Sequence, residues 1–231
     1  MPITGKKSRQ GKPRRTPGAT EIVTKVLRDA ITRGDLEAGE PLRQDEIAAE
    51  CGVSHIPVRE ALKELVGEGL AVFSRNRGVV VSELSAKVAW ELTEYRCLLE
   101  GQMARWAVPL MNDHDLLEAK KILDRLDDET RTEEILKLNT AFHAVLFAPA
   151  NRSHFLKSIE TVRANLMRYW RLAWEELGHK PASQRDHRKI LALCKKRDAE
   201  AVGREMERHI RETGTLIVGF LKRKAKLADD P

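Results

Sequence analysis

The sequence predicts a mainly α-helical protein in two parts: three short helices closed by a β-hairpin, then an all-helical antiparallel bundle of six helices. Three observations predict it. Apolar residues recur at spacings of three and four through most of the chain, the repeat that places side chains on one stripe of a helix. The β signal is confined to two short runs, AVF and VVV, on either side of SRNRG. The 231 residues also exceed the usual single-domain size of roughly 100 to 150, so two domains are expected.

Residues 1–18 carry Lys6, Lys7, Arg9, Lys12, Arg14 and Arg15 and no acid. Removing those six from the 41 basic residues leaves 35 against 35 acidic ones, so the net charge of +6 belongs to this segment, which reads as a disordered basic arm. It lacks the apolar stretch of a signal peptide. The first folded unit is expected over 19–81. Ile22, Val23, Val26, Leu27, Ala30 and Ile31 make the stripe of a first helix that ends at Gly34. A second helix runs from Gln44 to Glu50, and Gly52-Val53-Ser54 turns the chain into a third. There Val58, Ala61, Leu62 and Leu65 form the core stripe and Ser54 stands at the N-cap. Pro57 is tolerated because amides of a first helical turn have no intrahelical acceptor. Gly67 to Gly69 closes this helix, and the two β runs follow with Asn76 to Gly78 as their turn. Helix, helix, turn, helix and hairpin is the order of a winged helix-turn-helix.

His55, Arg59 and Lys63, four residues apart, line the face of the third helix that the core does not use. In such a module the helix after the turn enters the DNA major groove and its early residues reach base edges, while neighbouring elements grip the backbone. The expected DNA contacts are Ser54, His55, Arg59 and Lys63, with Arg43 before the second helix and Arg75, Arg77 and Gly78 at the hairpin tip. Bulk charge does not argue for DNA, since residues 19–81 hold 8 basic residues against 11 acidic ones. The clustering of the cations does.

The stretch LRQDEIAAECGVSHIPVREALKELVGEGL followed by SRNRGVVV resembles the amino-terminal domain of GntR-type bacterial transcription regulators. The resemblance implies a homodimer bound to double-stranded DNA at a short inverted-repeat operator. His55 stands where that family often carries arginine, which shifts the expected base preference.

After a linker at 82–85, Ser85 caps a helical pattern reaching about Met111. Further helices are expected over 113–128, 132–147, 152–177, 183–196 and 198–224, in a domain spanning 86–226. Asn112-Asp113, Pro149-Ala150-Asn151, Gly178 to Pro181 and the N-cap Asp198 mark their ends. In order, YRCLLEGQMARWA, NTAFHAVL, DHRKILAL and ERHI resemble the FadR subgroup of the same family, whose all-helical effector-binding domain is called FCD.

His143 lies four residues after Asn139 on one helix face, flanked by Leu136 and Leu146. His187 shares a stripe with Ile190, Leu191 and Cys194, and His209 shares one with Val202, Met206 and Leu216. Singly, each reads as an ordinary core histidine; jointly they offer what a divalent cation requires. The resemblance implies a metal held by an Asp-x3-His pair and two later histidines. Here these are Asn139, His143, His187 and His209, with Asn139 where aspartate is frequent. Zinc is the expected ion, with nickel or manganese as alternatives. Arg96 interrupts the apolar stripe of Leu92, Leu99 and Met103. It is either a snorkelling or salt-bridged arginine or a fork for a carboxylate. The resemblance implies the second, serving a small organic-acid effector.

No uncharged apolar run approaches the 18 or so residues of a membrane span, so no membrane association is expected. Cys51, Cys97 and Cys194 are odd in number, far apart and set among apolar residues, which suits a reducing cytoplasm. No catalytic residue is identified: there is no HExxH, and the Glu-x-x-His spacing of Glu176 to His179 is broken by Gly178. The expected function is a cytoplasmic, non-enzymatic transcriptional repressor whose operator affinity follows a small carboxylate bound near the metal. The alternatives are a helical-bundle metalloenzyme, which would turn over esters or phosphoesters, and a helical adaptor protein, which would not retain DNA through Arg59.

Overall fold

In the computed structural model the described residues are 17–177 and 180–229, the side chains of 172–182 and 227–229 excepted. The expected basic arm lies outside them apart from Pro17 and Gly18, as do Gly178 and His179. The first unit comprises α1 (Ala19–Arg33), α2 (Gln44–Cys51), α3 (His55–Gly67), β1 (Ala71–Ser74) and β2 (Gly78–Val81). The second comprises α4 (Ala86–Ala107), α5 (Asp113–Asp128), α6 (Thr132–Phe147), α7 (Ser153–Leu177), α8 (Lys180–Lys195) and α9 (Ala199–Asp229). The architecture is the expected winged helix-turn-helix joined to a helical bundle.

The first unit is built around the underside of α3. Val58, Ala61, Leu62 and Leu65 are almost fully buried and pack with Val23, Leu27 and Ile31 of α1, Ile47 of α2 and Leu70. Two left-handed glycines set the angles between helices. Gly34 (φ 81°) ends α1, and Gly52 (φ 64°) ends α2 with capping N–H groups bonded back to the carbonyls of Ala48 and Ala49. Ser54 occupies the N-cap of α3 without a capping bond from its side chain, leaving the hydroxyl at the surface. The hairpin pairs Ala71 with Val81 and Ser74 with Gly78.

A further extended segment flanks the hairpin. Gly39 N–H donates to Val81 O (2.9 Å), Leu42 N–H to Val79 O (2.8 Å), and Val81 N–H to Glu40 O (2.9 Å), so residues 39–42 cover the outer edge of β2. Sequence pattern misses this segment because Pro41 argues against a strand; the pairing tolerates it because only its neighbours' amides are used.

In the bundle, α5 begins with a capping box between Asn112 and Asp115, and Asp198 Oδ1 accepts from Ala201 N–H (2.9 Å) at the start of α9. Helices α4 and α9 lie in close contact; a Cβ at Gly214 would fall 2.3 Å from Thr93 Cγ2. The expected stripe on α9 departs at its end. Leu216 is 39% exposed, and Ile217 is buried instead, because α9 there packs on Leu166, Tyr169 and Trp170.

Helix α7 ties the two units together. Asn165 Nδ2 donates to Glu68 O at the end of α3, Arg168 Nη1 donates to Ser82 Oγ (2.8 Å), and Ser85 N–H donates to Tyr169 Oη (3.3 Å). The expected linker is therefore pinned to α7.

Candidate nucleic-acid interface and buried polar centre

The side chains of Arg43, His55, Arg59 and Lys63 are between 57% and 68% exposed, and Ser54, Arg75, Arg77 and Gly78 are also exposed. The core stripe of α3 aims this cationic row outward. Arg43 and each residue of the row have an acid nearby: Glu46 at 3.1 Å from Arg43 Nη1, Asp45 at 3.4 Å from His55 Nδ1, and Glu60 beside both Arg59 (3.8 Å) and Lys63 (3.0 Å). Exposed pairs of this kind contribute at most about 1 kcal/mol, so phosphate can displace the acids. Sequence reasoning passed over Ile56, which is 65% exposed in the first turn of α3. Its signal was legible as an apolar residue off the core stripe.

The second site lies inside the bundle. His143 on α6, His187 on α8 and His209 on α9 are 4% exposed or less, and their ligand-capable atoms lie within 4.8 Å of one another. Two of the rings are oriented from behind: His187 Nδ1 is 3.1 Å from Gln184 Oε1, and His209 Nδ1 is 3.1 Å from Asp186 Oδ2. Such bonds fix the tautomer that leaves the other nitrogen free. Both ring nitrogens of His143 are buried with no hydrogen-bond partner; Nδ1 is 3.2 Å from Glu100 Oε2 but off the line of a bond. Asn139, also predicted as a ligand, places its Nδ2 3.5 Å from His187 Nε2, while its Oδ1 accepts from Arg163 Nη2 (3.0 Å).

Beside the histidines is an ion cluster. Arg96 forks onto Glu100 with Nε at 2.6 Å and Nη2 at 3.1 Å, and its guanidinium lies 4.6 Å from the ring centre of Trp170. Its fork is thus paired with a carboxylate of the same helix. Arg163 Nη1 donates to the same Glu100 at 3.2 Å. Burial alone would raise the Glu100 carboxyl, but Arg163 and Arg96 hold it well below the usual carboxylate range. Burial, helped by the Arg163 charge, pushes His143 down to about 3, and burial with the neighbouring His209 and His143 pushes His187 well below 6.5. Both rings are therefore neutral, the form that ligates metal. Glu100, Arg163, Gln184 and Asp186 were not singled out from sequence. A glutamate four residues after Arg96 was the available signal for the first, and a glutamine three residues before His187 on the same helix for the third; Arg163 and Asp186 join through tertiary packing.

Three buried imidazoles, two pinned from behind and one with no hydrogen bond at either nitrogen, fit a divalent cation. The free space here is small. A cavity of about 20 Å³ is lined by Arg96, Leu136, Asn139, Trp170, Ser183, His209 and Thr213, room for one water. A wider cleft, about 650 Å³, lies away from this chemistry, between α1 and the α6/α7 face.

Residues 19–81 match the family of bacterial regulatory proteins described as gntR, and residues 91–212 match the FCD domain. The chain belongs to the GntR family and carries an FCD domain. The Nta operon transcriptional regulator of Aminobacter aminovorans is 28% identical over 186 residues, covering 80% of this chain and 87% of that protein. The HTH-type transcriptional repressor RspR of Escherichia coli K12 is 24% identical over 200 residues, covering 85% and 88%. Among solved structures, a GntR-family regulator from Pseudomonas syringae pv. tomato DC3000 is 30% identical over 90% of this chain and 88% of its own, with a TM-score of 0.56. E. coli McbR/YncC, 21% identical, covers 89% of this chain and 100% of its own with a TM-score of 0.77, and shares the fold. This GntR protein is a DNA-binding transcriptional regulator and not an enzyme. No helix among its described residues is long and apolar enough to cross a membrane.

Proposed function

We propose that this GntR protein is a cytoplasmic repressor whose hold on a short inverted-repeat operator is set by a small carboxylate metabolite bound in the FCD domain. The observation that carries the reading is the joint presence of an outward cationic row on α3 and an inward cluster of three histidines and two arginines in the bundle. His143, His187 and His209 would hold a divalent metal, zinc first and nickel or manganese next, which would supply Lewis acidity to fix a carboxylate oxygen. Asn139 joins them if its amide oxygen leaves Arg163. Arg96 and Arg163 supply the guanidinium charge that an organic acid requires.

The bonds from α7 to Glu68, Ser82 and Ser85 connect this centre to the reading head, because Arg163 lies on the same helix. The 20 Å³ cavity is too small for an organic acid, so binding must open the bundle and thereby favour another arrangement. Swinging the population from 1:99 to 99:1 takes about 5.5 kcal/mol of differential affinity. A homodimer is supported by Val88, Tyr95 and Leu98, 43%, 46% and 73% exposed on one side of α4 around the charged Glu91, apolar surface suited to a second copy.

The test starts with selection of DNA from a random duplex library, where an inverted repeat is expected. A thermal-shift panel of organic acids on zinc-loaded protein follows, with operator retention measured for each hit. Failure to retain any duplex at low salt would end the regulatory reading; retention unaffected by every stabilising acid would end the effector reading alone.

A further inference from the structure

We propose that Arg163 gates the histidine cluster against a bare metal ion, so that metal and anionic ligand enter this centre together; the inference rests on the metal reading above. Three observations support it. A guanidinium has only donors, so its 3.0 Å contact with Asn139 requires the amide oxygen to face Arg163, which leaves the amide nitrogen toward His187 Nε2 at 3.5 Å. The oxygen that could ligate a cation is turned away, and a donor faces the imidazoles.

The second observation is charge. Arg96, Glu100 and Arg163 are 3%, 0% and 5% exposed, and one carboxylate serves both guanidiniums, leaving one buried positive charge in excess. A divalent cation added alone enlarges that excess where water cannot screen it. The third is that Arg163 Nε and both nitrogens of His143 are buried with no hydrogen-bond partner; an added anion can take the first, and a metal one of the other two. An anion bonded to Arg163 supplies the missing negative charge and releases the Asn139 amide to turn its oxygen toward the histidines. Whatever the anion does for the metal, the metal does equally for the anion. A carboxylate at position 139 would do permanently what the anion does on binding, with one oxygen for Arg163 and the other where the amide nitrogen now stands.

The experiment measures Zn²⁺ affinity of chelator-stripped, full-length protein by competition with a chromogenic chelator, in buffer free of carboxylates and phosphate. Wild type is compared with Arg163→Gln, Arg163→Lys and Asn139→Asp, each shown to be folded by thermal unfolding. The expected result is about tenfold or greater tightening in Arg163→Gln and Asn139→Asp, within the usual range of coupling between sites, and wild-type affinity in Arg163→Lys, which keeps the charge. Unchanged or weaker zinc binding in folded Arg163→Gln and Asn139→Asp overturns the gate, as does equal tightening by Arg163→Lys. Should Arg163→Gln fail to fold, Asn139→Asp against wild type decides. Zinc binding in none of the four proteins brings down the metal reading itself, and the gate with it.

Discussion

Acidifying the metal-free protein from pH 7.5 to 5.5 is expected to lower its stability by about 2.7 kcal/mol through His143 and His187 alone. Both rings are buried and stay neutral in the folded state, His143 down to about 3 and His187 well below 6.5. In the unfolded chain an imidazole takes up its proton near pH 6.5. Acid therefore favours the unfolded state: this stability is complete above pH 6.5 and is lost as pH falls toward the folded-state values. Over this window each unfolded imidazole passes from about one-tenth to nine-tenths protonated, about 1.4 kcal/mol apiece. The ordinary carboxylate range lies well below this window. With an unfolding entropy of about 2.1 cal/mol/K per residue, the expected fall in Tm is about 6 °C. The assay is circular dichroism melting of chelator-treated protein at the two pH values. His187→Asn, whose amide can replace the Nδ1–H bond to Gln184, should show about half the fall. A Tm that stays within a degree, or an undiminished fall in His187→Asn, would refute the assignment of two buried neutral imidazoles.

Glu100→Gln leaves two buried guanidiniums without a counter-ion and should lower stability by about 3–5 kcal/mol in urea titration, partly recovered when Arg163→Met is added. Arg59→Ala should weaken operator binding by about 1–3 kcal/mol with unchanged Tm, since the side chain is exposed. Arg77→Ala, at the wing tip, should instead reduce the slope of log affinity against log salt by about one, as for loss of a phosphate contact. Ile56, exposed on the reading helix, should pack on a thymine methyl: deoxyuridine at one operator position should weaken wild type by about 0.8 kcal/mol and leave Ile56→Ala unaffected.

Local rules carried most of the architecture. The stripe Val58, Ala61, Leu62, Leu65 is the buried underside of α3, and the glycines at 34 and 52 end the helices where a left-handed residue was needed. Asp198 caps α9, and three histidines at helical spacing meet in the core. The extended segment at 39–42 was not legible, because its pairing with β2 lies far along the chain and Pro41 speaks against it locally. Nor was the role of Arg96: its stripe position admitted either a salt bridge or an open fork, and the bidentate contact with Glu100 is the arrangement found.

The sequence by itself determined the helices, the hairpin, the outward aim of His55, Arg59 and Lys63, and the inward aim of His143, His187 and His209. Each of these follows from periodicity and caps within a few residues. Only the tertiary structure decided that Arg163 arrives beside Glu100 and Asn139, that Asp186 stands behind His209, and that α7 bonds to the reading head. Those partners come from different helices or across domains. Whether a buried charge is balanced depends on which side chains packing brings within a few ångströms, a property that no single helix encodes.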